Sequence, residues 1–221
     1  LKPGQSLALV GENGSGKTTL LKALFGLLPV SKGALRVLGL EPARLDEEEV
    51  NRLLLRLGVM FQNGALLNSV SVLDNVAVPL EQHTRLPREI IAGMVEAKLR
   101  LVNLPGTEAL YPSELSGGMR KRVSLARAIA LDPEIVFLDE PSAGLDPENL
   151  LALDRLMLSL REYLATTLVV VTHELESIRR IADRIIFVHR GTVLFEGSLA
   201  EAEASGISPL SAFLHPAGPR V

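Results

Sequence analysis

Several polar residues of the kind that handle phosphate stand at the ends of apolar runs in this chain. Gly11-Glu-Asn-Gly-Ser-Gly-Lys17-Thr18 fits the spacing G-x-x-x-x-G-K-[ST]. At that spacing the glycines let the backbone wrap closely, so successive N–H groups point at phosphate oxygens. The apolar run Gln5–Val10 before it reads as a buried strand, and Lys17–Leu28 after it as a helix stopped by Pro29. The helix adds its positive N-terminal end to the loop. Lys17 would then supply a point charge to the β- and γ-phosphates of a nucleotide, and the Thr18 hydroxyl would ligate Mg²⁺. The expected ATP cradle is Gly11, Asn13, Gly14, Ser15, Gly16, Lys17, Thr18 and Thr19.

Three other apolar runs lead into residues that suit the same chemistry. Glu134–Leu138 runs into Asp139 and Glu140. Open α/β sheets bind ligands at that C-terminal edge. Asp139 is therefore expected to hold Mg²⁺, directly or through water, and Glu140 to polarise a water for attack on the γ-phosphate. Two solvated acids at a strand end are the plainer alternative. Gln62 follows Val59-Met60-Phe61 and could ligate Mg²⁺ or position water. His173 follows Val169–Thr172 and could hydrogen-bond the γ-phosphate. His83, His189 and His215 are assigned to ordinary solvated or capping roles.

Leu115-Ser116-Gly117-Gly118-Met119 precedes a basic and apolar helix, Arg120–Leu131. Ser116 reads as its N-cap, and Gly117 and Gly118 allow an anion to approach the helix end. A nucleotide has a single γ-phosphate, which Lys17 already takes. The two sites are reconciled if two copies face each other, each ATP lying between Lys17 of one and Ser116 of the other. A simple turn and cap is the alternative.

These residues need a scaffold. A length of 221 residues, 47% hydrophobic and 22% charged, suits one globular domain and excludes a disordered chain. The net charge of −3 argues against a dedicated nucleic-acid binder. With no cysteine, disulfides, thiol catalysis and zinc-thiolate sites are excluded. No apolar run approaches the roughly 20 residues of a membrane span, and no signal peptide is visible, so any membrane role is expected to come through a partner. Strands are expected at Gln5–Val10, Gly33–Gly39, Gly58–Gln62, Glu134–Leu138 and Thr166–Thr172. A hairpin of Arg184–His189 and Thr192–Glu196 is expected around Arg190-Gly191. Helices are expected at Asp46–Leu57, Pro147–Leu164 and Glu174–Ala182. Residues 71–129 lack strand signals and read as helical, with cap-like starts at Ser71 and Pro87 and breaks at Pro79, Pro87, Pro105 and Pro112. The alternation predicts an α/β fold with a mainly parallel sheet covered on both faces. Its core would be residues 1–70 and 130–197, with a helical subdomain at 71–129. Short helices and a frayed Pro/Gly-containing tail would occupy 198–221.

Taken together, the phosphate loop, Gln62, Leu115-Ser-Gly-Gly, Asp139-Glu140, Ser142-Ala-Gly-Leu-Asp146 and His173 resemble the nucleotide-binding subunit of ATP-binding cassette (ABC) transporters. The resemblance runs over nearly the whole chain. It implies a P-loop NTPase fold, ATP and Mg²⁺ as cofactors, Glu140 as catalytic base and His173 as γ-phosphate contact. It also implies that Asp146 lies in the loop crossing a homodimer with ATP at its interface, which closes on ATP and opens on hydrolysis. Within that family, Phe61–Pro87 and Glu114-Leu-Ser-Gly-Gly-Met119 look like the ATPase of Mla/Mce-type phospholipid transporters. That likeness implies an integral-membrane permease, an Mce-domain protein and sometimes a STAS-domain partner. It implies no nucleic acid, a place on the cytoplasmic face of the inner membrane, and phospholipid as cargo. The segment after Gln62 is where such ATPases meet the coupling helix of their permease.

Two departures from the family pattern stand out. Met119 replaces the usual Gln and cannot make its amide hydrogen bonds. Only Leu1–Gly4 precede the first strand, so the N-terminal antiparallel β subdomain is expected to be incomplete, with no aromatic to stack on adenine and an exposed strand edge. The competing readings are an importer of an amino acid or metal, a soluble cassette ATPase acting on nucleic acid, and a non-catalytic regulator. The second would normally carry a coiled coil or a duplicated cassette, and the third would lack Lys17, Glu140 or His173.

Overall fold

The computed structural model describes residues 1–62 and 64–215. Its six strands are β1 (Ser6–Val10), β2 (Leu57–Met60), β3 (Ile135–Asp139), β4 (Thr167–Val171), β5 (Arg184–His189) and β6 (Thr192–Gly197). They form one sheet in the order β2-β3-β4-β1-β5-β6, parallel throughout except for the β5–β6 hairpin. Side chains alternate along each strand, so Ala8, Val136, Leu138, Leu168 and Val170 face one way and Leu9, Phe137, Val169 and Val171 the other. The first face is covered by α5 (Gly117–Ala128) and α6 (Pro147–Leu164), in one apolar cluster with α3 (Val72–His83) and α4 (Arg88–Leu101). The second packs on α1 (Lys17–Leu24) and α2 (Glu47–Leu54). Near β5, Val10, Ile185 and Phe187 pack against α7 (Leu175–Ile181), α8 (Leu199–Ala204) and α9 (Ser208–Leu214).

The element order follows the sequence reading, and α6 matches its expected bounds. The differences have identifiable causes. The first helix stops at Leu24, not before Pro29. Gly26 adopts φ +72°, which lets the Gly26 N–H reach Ala23 O and the Leu27 N–H reach Lys22 O, closing the helix end. The strand expected at Gly33–Gly39 does not form. Gly33, Leu38 and Gly39 all take positive φ, and only Val37 and Leu40 make an isolated bridge. α2 is capped by Asp46 as expected, in a reciprocal box with Glu49, but it ends at Leu54 because Leu57 already belongs to β2.

Pro79 does not break α3. It sits inside the helix and removes one hydrogen bond, at a cost of about 3 kcal/mol. Val72, Val76, Ala77 and Leu80 on the same helix are fully buried. At roughly 1.5–3 kcal/mol for each large apolar side chain, their packing outweighs the loss. The tail Pro216–Val221, expected to fray, lies outside the described residues.

Candidate functional site

β1, β2, β3 and β4 are parallel and in register, with Leu9 and Asp139 both opposite Val171 and Met60 opposite Leu138. Their C-terminal ends therefore open onto one edge of the sheet. There Asn13–Thr19, Gln62, Asp139, Glu140, Val171 and His173 surround a cleft of about 340 Å³. All the candidate cradle residues line it apart from Gly11, which forms the base of the loop. At Gly11, φ is +148° and an added Cβ would fall 2.1 Å from the Val188 carbonyl oxygen, so only glycine fits. The Lys17 side chain folds back and donates to Gly11 O (2.8 Å) and Glu12 O (2.9 Å). An ammonium has three donors, so one remains for a ligand. Gly16 precedes α1 without any side-chain cap, leaving the first N–H groups of the helix to an anion. The Ser15 Oγ is buried with no hydrogen-bond partner among the described residues. The Gly191 N–H donates to Ser15 O (2.9 Å), so the β5–β6 turn braces the loop from behind. Burial pushes the Lys17 ammonium below its ordinary value, while the charges of Glu140 and Asp139 work in the opposite direction.

The acidic wall is more strained. Glu140 takes φ +46°, in the left-handed region, a conformation that costs on the order of 1 kcal/mol or more and persists only where surroundings fix it. Its N–H donates to Val171 O (2.8 Å). Its Oε1 lies 2.9 Å from His173 Nδ1, while Oε2 is buried with no hydrogen-bond partner among the described residues. Burial, and then the charge of Glu140, raise the Asp139 carboxyl above its ordinary range; Lys17 and Lys121 oppose that rise. Among the described residues no group of three or more His, Cys, Asp and Glu side chains could hold a metal alone. A Mg²⁺ would therefore share Asp139, Thr18 and Gln62 with phosphate oxygens. One carboxylate and neutral oxygens suit Mg²⁺, which keeps water and phosphate in its shell.

Ser116, Gly117, Gly118 and Asp146 do not line this cleft; they lie beside one another elsewhere. Ser116 caps α5, its hydroxyl accepting the Met119 N–H at 3.2 Å. Asp146 caps α6, accepting the N–H groups of Glu148 and Asn149, with the Asn149 side chain on its other oxygen at 2.6 Å. The Asn149 backbone N–H, and then its side chain, hold the Asp146 carboxyl below its ordinary value. Asn149 also abuts Gly118, where a Cβ would sit 3.2 Å from Asn149 Oδ1. The starts of α5 and α6 thus form one exposed corner.

Sequence reasoning missed Lys121. It projects from α5 and donates to the carbonyls of Gln62 and Glu140. Two turns on, Arg127 donates to Ala65 O (2.8 Å) and Gly64 O (2.6 Å). The available signal was a polar stripe at Lys121, Ser124 and Arg127, three residues apart on a helix that also carries the apolar Val123, Leu125 and Ala126.

Comparison with known proteins agrees with this geometry. The ABC transporter family profile matches residues 1–143. The intermembrane phospholipid transport system ATP-binding protein MlaF of Haemophilus influenzae is 42% identical over 198 residues, 90% of this chain and 75% of MlaF. The probable ribonucleotide transport ATP-binding protein mkl of Mycobacterium leprae is 38% identical over 194 residues, 88% of this chain and 56% of mkl. The ATP-binding cassette MJ0796, solved as a dimer in a post-hydrolysis state with ADP and Pi, superposes with a TM-score of 0.81 at 30% identity, over 90% of this chain and 87% of that one.

Proposed function

The chain belongs to the ABC transporter family, and on that premise we propose that it is the subunit whose ATP hydrolysis drives a phospholipid transporter. As a family member it is an ATP-binding, Mg²⁺-dependent ATPase. The observation that carries the site assignment is the cleft at the sheet edge, which gathers Lys17, Thr18, Gln62, Asp139, Glu140 and His173 from four strand ends. In this reading the 11–19 loop wraps the phosphates with backbone N–H groups, and Lys17 neutralises their charge. Thr18, Asp139 and Gln62 would hold a Mg²⁺, which would screen the phosphate charge. Glu140 accepts a proton from the attacking water, and His173 fixes the Glu140 carboxylate through the 2.9 Å contact while facing the γ-phosphate. Ser116–Gly118 and Asp146 complete the site of a second copy, which explains why they lie outside their own cleft.

No helix among the described residues is long and apolar enough to cross a membrane; in this reading a separate permease carries the transport path. A groove lined by Phe61, Ala65, Val78, Pro79 and Leu131 lies between the sheet core and the helices of residues 71–129, in the segment that resembles the permease-facing part of Mla/Mce-type ATPases. We place the permease there, and with it the protein at the cytoplasmic face of the inner membrane. Mce-domain and STAS-domain partners belong to the same reading. Support for the cargo is the 42% identity to MlaF. The 38% identity to mkl, named for ribonucleotide transport, favours a second reading with another cargo. Reconstitution of the ATPase with its permease in vesicles decides between them. ATP-dependent movement of a fluorescent phospholipid is expected; ATP turnover stimulated instead by a water-soluble cargo would overturn the lipid assignment.

A further inference from the structure

Lys121 is bonded in an unusual way for a lysine between two carboxylates. Asp139 and Glu140 are near enough for their charges to act on it, yet its ammonium donates to backbone: to Gln62 O, and to Glu140 O at 3.3 Å. Gln62 and Glu140 are the residues that follow β2 and β3 at the mouth of the cleft. One cation on α5 therefore clamps two walls of the cleft to the helix that begins at Ser116.

We propose that Lys121 is a positioning residue for hydrolysis, holding the Glu140 and Gln62 backbones so that their side chains face the γ-phosphate in register. The proposal rests on the ATPase reading above. The strain at Glu140 is its main support. A glutamate at φ +46° stays there only if other bonds hold its peptide. Its N–H is fixed by Val171 O, and its carbonyl by the Ala143 N–H (3.2 Å) and by Lys121. Of these, only Lys121 joins the catalytic strand end to α5. Ser124 and Arg127 continue the same face of α5 along the segment after Gln62, with Arg127 on the carbonyls of Gly64 and Ala65. That segment is anchored without Lys121, so loss of Lys121 should disturb the orientation of Glu140 and Gln62 while leaving the helix docked.

The test is Lys121→Met and Lys121→Arg in the full protein, with phosphate release measured against ATP concentration, and thermal melting and ATP-dependent dimerisation measured alongside. A displacement of about 1 Å at the reacting groups can cost roughly 100-fold, so Lys121→Met should lower kcat by about 10- to 100-fold. The phosphate loop of residues 11–19 is untouched, so KM for ATP should change by less than about threefold. Melting and dimerisation should match wild type, and Arg, which can span both carbonyls, should restore most of the turnover. An unchanged kcat, a fall in kcat matched by a rise in KM, or an Arg variant as impaired as Met would each overturn the proposal. Should Lys121→Met melt early, Lys121→Gln decides: its side chain is too short for both carbonyls, and wild-type turnover in it overturns the proposal. A wild type with no ATP turnover fails the underlying reading; a wild type that turns over ATP beside an unimpaired Lys121→Met fails this proposal alone.

Discussion

α1 and α5 both begin at glycine-rich turns, and both helix ends attract anions, yet their surroundings differ. Among the described residues no side chain caps α1 and none pairs with the buried Ser15 hydroxyl, and Lys17 is 8% exposed. Asp139 at the end of β3, with Glu140 and His173, closes the far side of the cleft. At α5 the Ser116 hydroxyl is already engaged by Met119 N–H, Ser116 and Gly117 lie exposed, and Asn149 of α6 abuts Gly118. On the proposed reading the first site is built within one chain, and the second is half a site that meets a nucleotide held by another copy. Two helix starts with similar sequence chemistry are thus assigned different roles by what the fold stacks opposite them.

That contrast can be broken or sharpened by four substitutions. The largest effect is expected from Glu140→Gln. Loss of a general base commonly costs about 10²–10⁴-fold, so ATP turnover should all but vanish while ATP-bound dimers accumulate. Phosphate release and size-exclusion chromatography report both, and undiminished hydrolysis would sink the base assignment. Lys17→Ala comes next. Removing a charged hydrogen bond worth about 1.5–3 kcal/mol should weaken nucleotide binding by roughly 10- to 100-fold, read by titration calorimetry on the monomer. Retained affinity would break the claim that the α1 site is complete within one chain.

Ser116→Asp addresses the other half. Asp caps a helix as well as Ser, so the melting temperature should hold. A carboxylate facing the phosphates of a second copy should still cut turnover by about tenfold through like-charge repulsion. Monomer affinity for ATP should stay within about twofold of wild type, since no residue of the first cleft changes. A loss of monomer affinity would mean that both helix starts serve one nucleotide in one chain. The smallest effect is expected from Met119→Gln. Met119 is partly buried against the main core cluster, so the new amide should change stability by only about 1 kcal/mol and turnover by a few-fold at most, measured by denaturant melting and steady-state kinetics.

Much of the site was legible because its residues sit at strand ends or in a fixed-spacing loop. Once the strands are taken as parallel, Gly11, Gln62, Asp139 and His173 must share an edge. The loop after β2 was harder to read, because β2 ends at Met60 and leaves Gln62 two residues beyond it. Its position is fixed by contacts from distant helices rather than by its own sequence. Arg127 holds its carbonyls, and the fully buried Asn75 accepts the Leu67 N–H and donates to Leu67 O and Ser71 O. Pro79 misled for the same reason: local propensity opposed a helix that tertiary burial enforces. The stretch 33–39 carried strand-like residues between glycines, but the positive φ at both glycines and at Leu38 turned it away from the sheet.

Apart from the stretch 33–39, the sequence by itself determined the strand and helix order, and it also carried the glycine-rich loop and the carboxylates, because these depend on short-range spacing and apolar periodicity. Only the tertiary structure decided that His173 meets Glu140, that Lys121 reaches two carbonyls from a third element, and that Ser116 and Asp146 share a corner away from their own cleft. Those contacts join residues from 19 to 59 positions apart, or helix starts whose nearness no local pattern encodes. They exist because sheet register and helix packing set distances that a linear pattern does not carry.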